Sequence, residues 1–325
     1  MCKVPVALAA VATVLILNSP GAGKSPAASA AKSKATANAG EGPAVIWRPP
    51  EDITSRDLFY GPGGKAHEPK GTFTFEKEDM QGSNPKFDVI DQNGVRWKVK
   101  MGNEARPETA ASRLVWAVGY FANEDYFVPV LHVQNMPRLR RGANLVSADG
   151  TVHNVRLKRH LKDEKKLGNW AWAHGPFTDT REWNGLRVMM ALVNNWDVKD
   201  TNNSVYQVHG SRPEQIYAVS DLGGTFGPTG LNWTQRGYLK AYRESKWITK
   251  TSSGYVDFGT PAMPALNHWV GRRIPVADAR WVGDLLARLS PQQIRDAFRA
   301  AGYPPQEVDG FGSVVEQRIS QLKGL

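Results

Sequence analysis

The feature that most restricts the fold is a turn signal between two segments that alternate apolar and polar residues. Asn93-Gly94 separates Phe87–Asp91 from Val95–Met101, and Asn-Gly in such a setting is a strong sign of a tight β-hairpin. Side chains alternate between the two faces of a strand. In the second arm one face carries Trp97, Val99 and Met101, and the other carries Arg96, Lys98 and Lys100. The sequence therefore predicts a hairpin with one apolar and one basic face.

The remaining periodic segments place most strand signals first and most helix signals last. Further strands are predicted at Gly71–Phe75, Tyr126–Val133, Ser204–Val208 and Tyr217–Ser220, with another hairpin over Leu145–Leu157. Helices are predicted at Pro107–Gly119, Arg181–Asn195, Ser290–Gly302 and Pro305–Leu322. This order predicts an α+β fold with two lobes, a strand-rich N-terminal lobe with one helix and a mainly helical C-terminal lobe.

The N-terminus has the pattern of an export signal. Lys3 is followed by the apolar run Val4–Leu17, which is too short to cross a bilayer, and then by small residues. We predict a signal peptide over residues 1–30, a flexible linker over 31–44 and a folded domain over 45–325, which implies a secreted or periplasmic protein; an uncleaved anchor is the alternative. Cleavage removes Cys2, the single cysteine, so the mature chain would have no disulfide, thiolate nucleophile or cysteine-bound zinc.

The charge balance favours anionic partners. The chain has 41 Lys and Arg against 31 Asp and Glu, a net charge of +10. Its seven histidines show no zinc-binding spacing, and no GxSxG nucleophile motif is present. The tryptophans, eleven in all, leave a polysaccharide-binding groove as a third possibility if they are exposed in a row.

One polar stretch has the arrangement of a phosphotransferase catalytic loop. Asp197, Lys199 and Asn202 stand in the order DxKxxN between a predicted helix and a predicted strand, and Asp221-Leu222-Gly223 follows the next strand. Upstream, Lys100 ends a strand and Glu108 begins a helix.

Together these motifs resemble the protein-kinase-like superfamily, in its atypical group of HipA-like and lipid-kinase-like phosphotransferases, as a secreted, bacterial-type member. The resemblance extends over about 71–227, and leucine replaces the phenylalanine of the DFG turn. It implies an N-lobe at about 45–134 and a C-lobe at about 135–325, with ATP bound between them. The histidine and arginine of the HRD motif and the GxGxxG loop are missing, and Gly61-Pro-Gly-Gly-Lys65 is interpreted as a turn rather than a P-loop.

The resemblance also implies roles for individual residues. Asp197 would accept or orient the acceptor proton, and Lys199 would contact the transferring phosphoryl group. Lys100, fixed by Glu108, would hold the other phosphates, helped by Gly82 and Ser83 in a loop over Glu76–Pro85. Asn202 and Asp221 would bind Mg²⁺ or Mn²⁺ through oxygen.

Several alternatives remain open at this stage. Lys98 competes with Lys100, and Glu104 competes with Glu108. The acceptor is a hydroxyl on a protein, glycan, lipid headgroup or small molecule, with no nucleic acid and no transmembrane segment in the mature chain expected. Transfer of a nucleotidyl group, or a non-catalytic, pseudokinase-like binding module, would use the same fold.

Overall fold

The structure, a computed structural model, describes residues 40–162, 164–228, 236–259 and 268–325. The predicted signal peptide and linker residues 31–39 lie outside the described residues. Residues 40–44, assigned to the linker, are described, and Ala44 pairs with Gln215. Within the described part of the chain, no helix has both the length and the apolar character needed to cross a membrane.

Twelve strands and six α-helices are described in these ranges. The strands are β1 (Ala44–Val45), β2 (Phe73–Asp79), β3 (Lys86–Asp91), β4 (Arg96–Lys100), β5 (Asp125–Gln134), β6 (Thr151–Arg159), β7 (Glu164–Gly168), β8 (Asn203–Val208), β9 (Glu214–Val219), β10 (Ile248–Ser252), β11 (Tyr255–Phe258) and β12 (Ile274–Pro275). The helices are α1 (Ala105–Ala117), α2 (Arg181–Leu192), α3 (Leu239–Glu244), α4 (Val276–Leu286), α5 (Pro291–Ala300) and α6 (Pro305–Lys323).

The N-terminal strands form a closed barrel in the order β2-β3-β4-β6-β5. The predicted hairpin is its centre, because β3 and β4 pair antiparallel with Lys86 opposite Lys100. Apolar side chains of the barrel, among them Phe87, Trp97 and Val99, are buried together inside it. The alternation of the sequence therefore fixes the basic face of β4 on the outside of the barrel.

Two local predictions were wrong. The loop predicted over Glu76–Pro85 is shorter, because β2 continues to Asp79, which pairs with Lys86 after an irregularity past Phe75. The hairpin over Leu145–Leu157 reduces to one bridge between Val146 and Val152. The reason is that β6 pairs along its length with β5 and β4 instead. This strand belongs to the barrel although it follows the lobe boundary predicted near residue 134.

The C-terminal part combines helices with two small sheets, β1-β9-β8-β7 and β10-β11-β12. Its core contains a cluster of buried rings in which Phe298 and Phe311 stack at 5.0 Å and Phe226 meets both edge-on. The predicted capping box is present at the start of α5, where Ser290 and Gln293 bond reciprocally. Helix α2 ends at Leu192, three residues before its predicted end, because Asn194 takes a left-handed φ of 50°.

Replacing Phe311 by alanine tests the ring cluster. We predict that Phe311→Ala lowers the free energy of unfolding by about 3–5 kcal/mol, since it removes a fully buried ring and leaves a cavity. Urea denaturation of the two chains measures the difference. Phe59→Ala is the matched control, because that ring is 41% exposed and its loss should cost less than about 1 kcal/mol. Equal losses in the two variants would contradict the assignment of the core.

Candidate active site

Lys100 is the buried centre of an ionic cluster. Its side chain leaves the outer face of β4, and the residue is 4% exposed. The ammonium group lies 2.8 Å from the Glu108 carboxylate of α1 and 3.1 Å from Asp221 after β9. A third carboxylate, Glu104 at the start of α1, is 3.2 Å away. The fold thus brings together Lys100, Glu108 and Asp221, which the sequence had placed in one site.

The charges in this cluster support one another. Burial alone would lower the pKa of Lys100, but the charges of Glu108 and Asp221 outweigh it and raise the pKa above its usual value. Burial likewise raises the pKa of Asp221, and Lys100 outweighs this and lowers it. The lysine is therefore a cation and Asp221 an anion at neutral pH.

A second cation, Arg156 on β6, holds Glu108 from the other side. Its guanidinium lies 2.9 Å from Glu108 and 3.5 Å from Asp125, and all three residues are buried. Glu108 is therefore fixed between two cations. Sequence reasoning missed Arg156 and Asp125. The available signal was the alternation of β6, where Val155 and Leu157 are apolar and Arg156 and Lys158 are basic.

The two lysines of β4 have different partners. Lys98 lies 2.5 Å from Asp79 of β2 and 3.1 Å from Asp88 of β3. Lys100, in contrast, contacts α1 and the segment after β9. Both candidate glutamates contact Lys100, but Glu104 also accepts from Asn84 and pairs with Arg236. The geometry favours Lys100 over Lys98 as the lysine of the site, and it uses both glutamates.

The loop from Asp197 to Asn202 is tied to Asp221 through the backbone. The Asn202 amide donates to the Asp197 carbonyl at 2.7 Å, and the Asp221 N–H donates to the Asn202 carbonyl at 3.2 Å. Lys199 lies 2.6 Å from the Asp197 carboxylate and is exposed. These contacts place the loop next to the end of the Lys100 cluster.

The position of Gly223, two residues after Asp221, requires a glycine. A Cβ at this position would lie 2.6 Å from the Glu104 carboxylate, so any larger residue would displace that group. The Asp221 carboxylate also accepts from the Gly223 N–H at 3.1 Å. The turn therefore orients Asp221 and admits Glu104 at the same time.

The predicted phosphate loop contributes less directly. Gly82 and Ser83 lie exposed at the tip between β2 and β3. The Gly82 carbonyl accepts from Arg141, and the loop reaches the cluster through Asn84, which donates to Glu104. The role predicted for Gly82 and Ser83 thus remains a prediction.

Three carboxylates share one cation in the structure, the Lys100 ammonium. Ligand oxygens of Glu104, Glu108 and Asp221 all lie within 4.8 Å of one another. A set of carboxylate oxygens fits Mg²⁺ or Mn²⁺ by its chemistry. This set differs from the predicted pair of Asn202 and Asp221, because the glutamates of α1 join Asp221. Asn202 stays adjacent through the Asp221 backbone.

No protein-family model and no curated protein matches the chain. It is similar to the solved structure of the proinflammatory kinase CtkA of Helicobacter pylori, with a TM-score of 0.48, 12% identity and coverage of 79% of this chain and 97% of that one. The Golgi casein kinase with Mn/ADP bound is similar with a TM-score of 0.37 and 10% identity, over 78% of this chain and 73% of that one. The Rio2 kinase–ADP/Mg²⁺–phosphoaspartate complex of Chaetomium thermophilum is similar with a TM-score of 0.33 and 7% identity, over 77% of this chain and 72% of that one. All three are kinases, and side-chain roles rest on this chain's own geometry.

The ionic contacts beside the cluster predict a pH dependence. Burial raises the pKa of Asp88, but His160, 3.8 Å away, and the Lys98 charge, 3.1 Å away, outweigh burial and lower the pKa to about 2. A carboxyl group whose pKa is depressed in the folded chain stabilises the fold above its unfolded pKa, about 3.9, and that contribution is lost as the pH falls toward the folded pKa.

We therefore predict that Asp88→Asn lowers the free energy of unfolding at pH 5 and that the difference from the parent chain shrinks between about pH 4 and pH 2. Urea denaturation at each pH measures it. Asp284→Asn, an exposed carboxylate on α4, is the control and should give a small difference at every pH. A deficit of Asp88→Asn that stays constant down to pH 2 would refute the linkage.

Proposed function

We propose that this protein is a kinase-like phosphotransferase that binds a nucleotide and a divalent metal and transfers a phosphoryl group to a hydroxyl acceptor. The observation that carries the proposal is the meeting of Lys100 with Asp221, 121 residues apart in sequence, beside Glu108. The barrel with α1 would form one lobe, the helical part the other, and the cleft between them would hold the nucleotide. From residues 1–30 we propose that the protein acts outside the cytoplasm.

Each group has a proposed task. Lys100 binds the phosphates that are not transferred. Asp197 accepts the proton of the acceptor hydroxyl while the oxygen of that hydroxyl bonds to the γ-phosphorus. The bond from the γ-phosphorus to the bridging oxygen breaks, and the nucleoside diphosphate is released. Lys199, 2.6 Å from Asp197, neutralises charge on the phosphoryl oxygens. A hydroxyl on a protein, glycan, lipid headgroup or small molecule would serve as acceptor.

Metal dependence follows from the charge of the cluster. Three carboxylates already pair with the Lys100 ammonium, so a triphosphate approaching alone would have to compete with them for that lysine. Asp221 and the side-chain oxygen of Asn202 are the residues that would hold Mg²⁺ or Mn²⁺, with Glu104 beside them, while Glu108 stays paired with Lys100 and Arg156. The ion would neutralise phosphate charge when bound.

Thermal unfolding tests this requirement. We predict that ATP with Mg²⁺ or Mn²⁺ raises the Tm of the chain by several degrees and that ATP alone does not, because a ligand that binds the folded state stabilises it. Asp221→Asn should abolish the shift. Asp284→Asn, a carboxylate exposed on α4, should keep it. An unchanged shift in Asp221→Asn would overturn the metal assignment.

Paired lysine and aspartate variants test the catalytic roles. We predict that Lys100→Met lowers the rate of phosphate transfer at least 100-fold and that Lys98→Met, whose lysine pairs within the barrel, lowers it less than about 10-fold. Asp197→Asn should lower kcat by about 10² to 10⁴ and leave nucleotide binding in place. A nucleotide panel labelled at the γ- or α-phosphate measures transfer and separates phosphorylation from nucleotidylation. Metal-dependent binding without either transfer would favour the non-catalytic binding module.

A further inference from the structure

A cavity of about 660 Å³ opens beside the Lys100 cluster. Its walls come from the first turn of α1, the segment before β6, the start of β6 and the turn between α5 and α6. The side chains that matter for its chemistry are Arg106, Arg236, Tyr303, His153, Leu145 and Glu307. None of these has a place in the site described above, apart from Arg236, which pairs with Glu104.

Arg106 lies in the wall of the cavity near two aromatic rings. Its guanidinium lies 5.6 Å from the ring centre of Phe127 and 5.8 Å from that of Tyr303, and one end donates to Asn154 at 3.3 Å. The buried Nε has no hydrogen-bond partner in the part of the chain that the structure describes. Arg106 lines the cavity, and the planar fork of donors of a guanidinium is suited to bind an oxyanion.

Tyr303 brings a second unused donor. The residue is 7% exposed, and its hydroxyl, too, lacks a hydrogen-bond partner among the described residues. The hydroxyl faces Gly237 of the cavity wall, since a Cβ there would lie 2.5 Å from it. Buried hydroxyls are normally paired, so one left without a partner against a cavity is best explained by a ligand that accepts from it.

The charge of the cavity selects the ligand. Two arginines, one of them paired with Glu104, line the cavity together with a single carboxylate, Glu307. The apolar wall is formed by Leu145 and Pro107. We propose that this cavity is a binding site for an oxyanion of phosphate or carboxylate chemistry, in which Arg106 and Tyr303 donate to the anion oxygens. The lining of the cavity includes none of Lys100, Glu104, Glu108 and Asp221.

Titration of the full chain with inorganic phosphate, phosphoserine and acetate tests this site. Each titration is run without nucleotide or metal, against chloride of equal ionic strength, and followed by calorimetry. We expect saturable binding by phosphate or acetate, with affinity reduced about 10-fold in Arg106→Gln and in Tyr303→Phe. Arg138→Gln, an exposed arginine outside the cavity, is the control and should bind like the parent chain. Phosphoserine shows whether an anion carried on a larger molecule is also accepted.

Folding of the variants is checked by urea denaturation. Tyr303→Phe keeps the ring and removes a hydroxyl without a described partner, so we expect its stability without ligand to be at least that of the parent chain. No saturable binding of phosphate or acetate, or equal affinity in the parent chain, Arg106→Gln and Tyr303→Phe, would overturn the proposal. An anion held at Lys100 would give the second result.

The outcome is independent of the phosphotransferase proposal. A chain that ignores ATP with Mg²⁺ but loses phosphate binding in Arg106→Gln would keep the oxyanion site and remove the proposed function. A chain that binds ATP with Mg²⁺ and shows no effect of Arg106→Gln on phosphate binding would keep the proposed function and remove the oxyanion site.

Discussion

The burial of one ammonium group, that of Lys100, determines how the barrel meets the rest of the chain. An isolated charge taken out of water costs far more free energy than the net stability of a domain, so it persists only with paired partners. Lys100 leaves the end of β4, and its partners come from the start of α1 and from the turn after β9. A shift of any one of these elements would leave charge unpaired, and the cluster therefore restricts all three together.

Arg156 gives Glu108 a second cationic partner besides Lys100. Because Arg156 also holds Glu108, through a contact of 2.9 Å, the glutamate stays paired even when Lys100 turns toward another anion. Asp125 in turn balances Arg156 at 3.5 Å. In the proposed function Lys100 would exchange one carboxylate for a phosphate, and Glu108 would stay in place because Arg156 holds it.

Local signals carried the predictions that succeeded. The Asn-Gly turn with its alternating arms and the capping box at Ser290 depend on neighbours within a few residues, and both lie where expected. The order of the motifs predicted that Lys100, Glu108 and Asp221 belong to one site, and Lys100 contacts the other two side chains in the structure. Arg156 could not be found in this way, because its position depends on the pairing of β6 with β4 across more than fifty residues, and a misassigned hairpin had removed β6 from the barrel.

Glu104 links the two sites that the structure suggests. It contacts Lys100 on one side and Arg236, which lines the cavity, on the other. Because Arg236 pairs with the same carboxylate as Lys100, the Arg236 charge is part of what sets the field at Lys100. An anion in the cavity would draw on that charge and leave Glu104 more fully to Lys100 and to a metal ion. By linkage, if an anion in the cavity changes the affinity of the cluster for metal or nucleotide by some factor, then metal or nucleotide bound at the cluster changes the affinity of the cavity for the anion by that same factor.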